Sequence, residues 1–254
     1  MRVNDVKARL LAGEVVYGYV LNLGSAVAAE SMSRTGIDFL MLDLQHGSWD
    51  LAETAQALMA MSAATIPMAR PAANDYTMIG KLLDEGAMGI VVPMVDTPEQ
   101  AKAAADACLF PPAGNRSHGY GGALRLSGDD GPAYVGGMND QLFLAVQLES
   151  ALAVDNAEAI LAPPGVDGCW VGPADLAMSL GLTPSTAWDE SEFQAALQRV
   201  LAACDATGTV PGYAAFDPAR AEQARALGFR YLTAGWDLGF LLEGAVAGVR
   251  RLRG

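Results

Sequence analysis

The chain has 254 residues, of which 52% are hydrophobic and 18% charged, with a formal net charge of −13. This length suits one α/β barrel domain of about 250 residues, spanning 1–254, and the small charged fraction points to surface covered by other subunits. The acidic balance excludes roles that rest on attraction to nucleic acid or to an anionic membrane surface, and no apolar run reaches the roughly 20 residues that span a bilayer.

Short apolar runs alternate with helical patterns along the chain. The expected strands are Val16–Asn22, Ile37–Asp43, Ile66–Arg70, Gly89–Pro93, Leu142–Glu149, Gly168–Gly172, Val210–Ala214 and Phe229–Thr233. They are continuous rather than alternating, as parallel strands covered on both faces should be. The stretches LAETAQALMAMSAA, TPEQAKAAADACL and DPARAEQARALG read as helices, the last two opening on a Thr or Asp cap followed by Pro. Eight strand–helix units imply a closed (β/α)8 TIM barrel in preference to an open doubly wound sheet. Pro111–Asn139 is rich in Gly and Pro and reads as a long active-site or interface loop. Leu182–Ser191 reads as a shorter polar insert. The N-terminus lacks a signal-peptide layout. The cysteines are three in number, Cys108, Cys169 and Cys204, with no C-x-x-C spacing, which favours free thiols in a reducing cytoplasm.

In such a barrel the active site lies at the C-terminal ends of the strands, where the unusual polar residues of this chain fall. Strand two ends in Asp43, followed by Gln45 and His46. Strand three ends in Arg70, and strand five in Gln147 and Glu149. Strand six runs into Gly172, Pro173, Ala174 and Asp175. Glu149 and Asp175 are candidate ligands for a hard cation such as Mg2+ or Mn2+. Their alternative roles are capping a helix and pairing with Arg70. The first amides of a helix begun at Pro173 would face an anion. His46 is one of two histidines; with Asp43 holding one ring nitrogen, the other would be free to move a proton. The other, His118, reads as an exposed loop residue. The fork of donors on Arg70 suits a carboxylate or a developing enolate oxygen, with an interior ion pair to Glu149 or Asp175 as the alternative. The three lysines, Lys7, Lys81 and Lys102, all lie off the expected strands. A Schiff base needs a desolvated interior lysine, so carbanion chemistry here would rest on a metal.

The segments GIDFLMLDLQHGSWD, MARPAANDYTMIGKLLDEGAMGIVVPMVDTPEQA, FPPAGNRSHG, VQLESALAVDNAEAI and GVDGCWVGPADLAMSLG, in this order, resemble the class II pyruvate aldolases, whose type member is 4-hydroxy-2-oxoheptane-1,7-dioate aldolase. The resemblance implies reversible retro-aldol cleavage of a 4-hydroxy-2-oxo acid to pyruvate and an aldehyde through a metal-bound enolate. Mg2+, Mn2+ or Co2+ would be held by Glu149 and Asp175. The amides of Ala174 and Asp175 would take the substrate carboxylate and Arg70 the keto oxygen, while His46, oriented by Asp43, would move protons with a metal-bound water. It further implies that Asp84 approaches a neighbouring subunit's site, in a hexamer built as a trimer of dimers that exchange their C-terminal helix. Two departures stand out: Gln45 where relatives often carry Glu, and Val20 where they often carry Trp. Other lyases on this scaffold (a sugar-acid aldolase, a decarboxylase, a citryl-type thioester lyase) and a non-catalytic binding barrel are the competing readings.

Overall fold

Eight parallel strands close on themselves in sequence order: β1 (Val16–Leu21), β2 (Phe39–Asp43), β3 (Ile66–Arg70), β4 (Gly89–Val92), β5 (Phe143–Leu148), β6 (Gly168–Val171), β7 (Gly212–Ala214) and β8 (Tyr231–Trp236), with β8 pairing back onto β1. The structure is a computed structural model that describes residues 2–128 and 130–254. The helices are α1 (Asp5–Leu11), α2 (Ala26–Met32), α3 (Leu51–Ala60), α4 (Tyr76–Glu85), α5 (Pro98–Cys108), α6 (Gly121–Ser127), α7 (Gly131–Gln141), α8 (Ala151–Asp155), α9 (Ala157–Leu161), α10 (Pro173–Ser179), α11 (Ser191–Thr207), α12 (Pro218–Leu227) and α13 (Asp237–Arg253). Among the described residues no helix is long and apolar enough to cross a membrane.

The strands are buried on both faces, which explains their unbroken apolar runs. Inward-facing Val20, Phe39, Met41, Met68, Phe143, Trp170 and Tyr231 fill the barrel, with Phe39 and Tyr231 stacked at a centroid distance of 4.7 Å. Outward-facing residues such as Leu40, Leu42, Leu144 and Val146 pack against the helices. The expected caps form: Thr97 accepts from the Gln100 amide and Asp217 from the Arg220 amide, each ahead of a first-turn proline.

Three expectations need correction. Pro111–Asn139 is not a plain loop, since it holds α6 and most of α7. Asp130 caps α7 through the Ala133 amide, and Tyr134 and Met138 bury its inner face; that burial outweighs the poor helix propensity of its glycines. The helix beginning at Leu51 stops at Ala60, because the Ser62 amide turns away to donate to the Ser33 hydroxyl at 2.8 Å. Strand eight continues past Thr233 to Trp236, and its register against β1 shifts between the Gly18–Thr233 and Val20–Trp236 pairs. A shift of this kind adds twist and re-aims the residues beyond it.

Candidate active site

The barrel closure sets Asp43, at the end of β2, directly in register with Arg70, at the end of β3. Both are buried, and they form a bidentate pair: Arg70 Nε donates to Asp43 Oδ1 at 2.8 Å and one terminal nitrogen to Oδ2 at 2.6 Å. The other terminal nitrogen donates to the Gln147 side-chain oxygen at 3.1 Å. A guanidinium carries five N–H donors; three are engaged, and two remain for a ligand. The Trp170 ring lies under the guanidinium, 5.3 Å from centroid to Cζ, and holds the fork in one plane.

The same pattern passes on to β5. With its oxygen taken by Arg70, the Gln147 amide turns its nitrogen to Glu149 Oε2. The Met94 amide donates to Glu149 Oε1 at 2.8 Å, which requires Met94 to adopt a left-handed backbone, φ 55°. Such a conformation costs of order 1–3 kcal/mol in a non-glycine residue and is typical of functional sites. Gly172 closes on Glu149 from β6: a Cβ there would lie 2.7 Å from Glu149 Oε2, so any side chain at 172 would fill the space beside the carboxylate. Asp175 follows on the exposed first turn of α10, whose N-cap is Gly172 and which has no side-chain cap. The first helical amides have no intrahelical partner, and those of Ala174 and Asp175 remain available.

The two buried carboxylates differ in charge environment. Burial pushes Asp43 up, but the hydrogen bonds and charge of Arg70, with the backbone amides of His46 and Gln45, outweigh it and hold this carboxyl below its ordinary value. Burial pushes Glu149 up to about 7 and the Asp175 charge adds to that, only partly countered by the Met94 amide, Arg70 and Gln147. Glu149 is therefore a buried carboxylate without a cation of its own, because Arg70 belongs to Asp43. A cation held between Glu149 and Asp175 would supply the missing charge with oxygen ligands suited to a hard divalent ion. Among the described residues, no group of three or more His, Cys, Asp or Glu side chains forms a metal cluster by itself. Glu149 and Asp175 are thus candidate ligands only as a pair.

The expected arrangement of His46 and Asp43 is corrected. The Asp43 oxygens accept from Arg70, from the Asn22 side chain at 2.9 Å, and from the backbone amides of Gln45 and His46 at 3.1 and 3.3 Å. The carboxylate shapes the turn that carries His46 and does not hold its ring. His46 itself is exposed at the lip of an open cleft of about 400 Å3, lined with Asn22, Asp43, Arg70, Phe216 and Trp236. Arg70 likewise pairs with Asp43 and not with Glu149 or Asp175. His118 is exposed as expected, edge-on to Tyr120. Asp84 lies on α4, outside the cleft lining, and accepts from buried Arg116 at 2.8 Å.

Sequence reasoning missed Asn22, Met94, Phe216 and Trp236. Phe216, with φ 58°, sits edge-on to Trp170. No local sequence signal marks a left-handed Met or Phe. The lysines lie elsewhere: Lys7 is bound to Asp167 and the Leu142 carbonyl, at the end of the barrel opposite the site, Lys102 pairs with Asp106 on the surface, and Lys81 is exposed on α4.

The closed eight-stranded barrel gathers buried carboxylates, an arginine fork and a histidine near the C-terminal ends of its strands, where such barrels carry their active sites. Residues 17–243 match the family described as HpcH/HpaI aldolase/citrate lyase, and the chain belongs to that family and is a lyase. It is 33% identical to a hydroxypyruvate/pyruvate aldolase of Paraburkholderia phytofirmans, covering 98% of each chain. It is 39% identical to a 4-hydroxy-2-oxovalerate aldolase of Novosphingobium aromaticivorans, covering 99% of this chain and 95% of the relative. The crystal structure of a family protein from Burkholderia cenocepacia superimposes with a TM-score of 0.90 at 35% identity, covering 99% of this chain and 100% of the other.

Proposed function

We propose that the chain, acting as one domain over 1–254, reversibly cleaves 4-hydroxy-2-oxo acids to pyruvate, or a related 2-oxo acid, and an aldehyde. The observation that carries this reading is the continuous array Asp43–Arg70–Gln147–Glu149, which ends in a buried carboxylate lacking its own cation beside Asp175. Glu149 and Asp175 would hold Mg2+, Mn2+ or Co2+. When bound, the ion supplies the positive charge that the two oxygens of a 2-oxo acid need as one of them becomes anionic. Relatives named for hydroxypyruvate, pyruvate and 4-hydroxy-2-oxovalerate support the substrate class.

The chain's own groups divide the work. The free amides of Ala174 and Asp175 bind the substrate carboxylate, with Gly172 and Pro173 fixing their direction. The two free N–H groups of Arg70 donate to the keto oxygen and strengthen as it gains charge. Gln147 keeps the fork and Glu149 aligned. His46 takes the proton from the C4 hydroxyl; the C3–C4 bond breaks with its electron pair passing to the enolate, the aldehyde leaves, and protonated His46 returns a proton to C3. A thioester lyase would want free basic side chains for a CoA phosphate, whereas Arg116 is buried against Asp84 and Arg125 pairs with Glu85.

The test is pyruvate release from a panel of 4-hydroxy-2-oxo acids with added divalent metals. Rapid release from at least one, with metal, is the expected result; no release from any would overturn the reading. In that assay His46→Ala should lower turnover by about 10²–10⁴-fold, the usual range for general acid–base groups, with a smaller change in pyruvate affinity. A collapse of affinity with turnover retained would make His46 a binding residue.

The assembly is proposed on separate grounds. The only buried residue of α13 is Asp237. Phe240 packs edge-on against Tyr19, while Leu241, Leu242, Val246, Val249 and Leu252 are 46–88% exposed, an apolar face left open in the described chain. Exchange of α13 between two copies would bury it, in a hexamer of three such dimers with Asp84 reaching a neighbour's site. Light scattering at micromolar concentration should give a mass above that of a dimer, and a monomer would refute it. The free, buried thiols of Cys108, Cys169 and Cys204 suit a cytoplasmic setting.

A further inference from the structure

The cleft is lined by polar Asn22, Asp43, His46 and Arg70 together with the aromatic rings of Phe216 and Trp236. Trp236 stands at the end of β8, in register with Val20 on β1, and Phe216 follows β7 on a left-handed backbone. Both face the cleft that holds His46 and Arg70. Two local devices fix the indole. Asp237, 4% exposed, accepts from the amides of Asn22, Leu23 and Leu238 at 2.8–3.0 Å, and so ties the loop after β1 to the first turn of α13. Gly239 leaves room for the ring, since a Cβ there would lie 2.3 Å from Trp236 Nε1. Val20, the strand partner of Trp236, is buried in the barrel core, and Trp236 packs against that same cluster.

We propose that Trp236 is the residue that sets specificity for the aldehyde, and that the cleft accepts an uncharged aldehyde, its chain laid on Trp236 and Phe216, in preference to one bearing a carboxylate. This deepens the aldolase reading and rests on it. With the 2-oxo acid held near Glu149, Asp175 and Arg70, the aldehyde carbon lies toward His46 and its chain toward the aromatic wall. Among the described residues, Arg70 is the one fixed cation of that lining, and Asp43 and Gln147 already engage it. Asp43 adds negative charge. A carboxylate on the aldehyde, laid on those ring faces, would lose hydration there and lie in a cleft that already holds the negative charge of Asp43. A branched alkyl chain of the same shape would lose water from both surfaces at a gain.

The experiment measures aldol addition of pyruvate to two aldehydes of matched shape, 4-methylpentanal and succinic semialdehyde, with saturating Mn2+. The wild-type enzyme should favour 4-methylpentanal by at least about 10-fold in kcat/KM, the scale of one well-packed apolar contact. Trp236→Ala should lower kcat/KM for 4-methylpentanal by about 10–100-fold and change that for the semialdehyde much less, so that the preference collapses. Gly239→Ala, which displaces the indole without removing it, should act in the same direction, and it serves if Trp236→Ala does not fold. Equal or better use of the semialdehyde by the wild-type enzyme, or unchanged selectivity in both variants, would overturn the proposal. Deuterium exchange at C3 of pyruvate, followed by NMR without any aldehyde, separates the two readings. Exchange with unaltered aldehyde selectivity sinks the role of Trp236 alone, whereas absence of exchange in the wild-type enzyme sinks the aldolase reading beneath it.

Discussion

Arg70→Ala should lower cleavage of a 4-hydroxy-2-oxo acid by about 10²–10³-fold, the usual cost of losing one donor to a developing oxyanion. The structure adds a second consequence. The Asp43 carboxylate is 1% exposed and takes both of its strongest hydrogen bonds from Arg70. Removing one partner of a buried pair typically costs about 3–5 kcal/mol, because the other charge stays buried and unmatched, so Arg70→Ala should also melt earlier than the wild-type protein. Arg70→Lys separates the two effects. It restores a charge beside Asp43 but cannot span Asp43, Gln147 and a substrate oxygen together. It should recover most of the stability and little of the turnover. Near-normal turnover in a well-folded Arg70→Lys variant would remove Arg70 from the chemistry and leave it a structural partner of Asp43.

Glu149→Gln should abolish the dependence of both activity and stability on divalent metal. The pH behaviour gives it a distinct signature. Burial, with the charge of Asp175, pushes the folded-state pKa of Glu149 up to about 7 from an ordinary 4.5. Between those values the folded chain holds a proton that the unfolded chain has lost. Without metal, this residue therefore stabilises fully below about pH 4.5, and its contribution is lost as pH rises through 7. A cation at Glu149 and Asp175 offsets the charge, so added Mn2+ should raise the melting temperature more at pH 8 than at pH 5.5. In Glu149→Gln that difference should vanish, and metal affinity should fall by more than the about 10–100-fold usual for outer-shell partners. An unchanged metal-induced shift in the variant would exclude Glu149 as a ligand.

The barrel was legible because most of its strands are buried on both faces, which writes them as short apolar runs. Asp43, Arg70, Gln147 and Glu149 stand at or next to the ends of such runs, with Asp175 on the first turn of the helix after β6, and the fold brings the first four into one hydrogen-bonded array. Their pairing was not legible. Asp43 and Arg70 are 27 positions apart, and only the parallel register of β2 on β3 sets them opposite each other; the sequence offers Arg70 a substrate oxygen or, as the alternative, an ion pair with Glu149 or Asp175, and does not point to Asp43. The same register uses up the Asp43 oxygens that had been assigned to the His46 ring. Trp236 was not legible because the expected strand stops at Thr233; the shifted register of β8 carries the strand on to Trp236. The helices α6 and α7 were hidden by their glycines, and their formation depends on partners such as Leu83 and Phe110, which lie far away in sequence.

The central claim, that carbon–carbon cleavage here depends on a divalent ion and not on a lysine imine, is tested most directly by a single assay of pyruvate release. The enzyme is assayed as prepared, after exhaustive chelation, after return of Mg2+, Mn2+ or Co2+, and after borohydride treatment in the presence of pyruvate. The expected result is loss on chelation, recovery with metal, and no covalent adduct by intact-mass analysis after borohydride. Full activity in the chelated enzyme, or a trapped pyruvyl adduct on Lys7, Lys81 or Lys102, would contradict it.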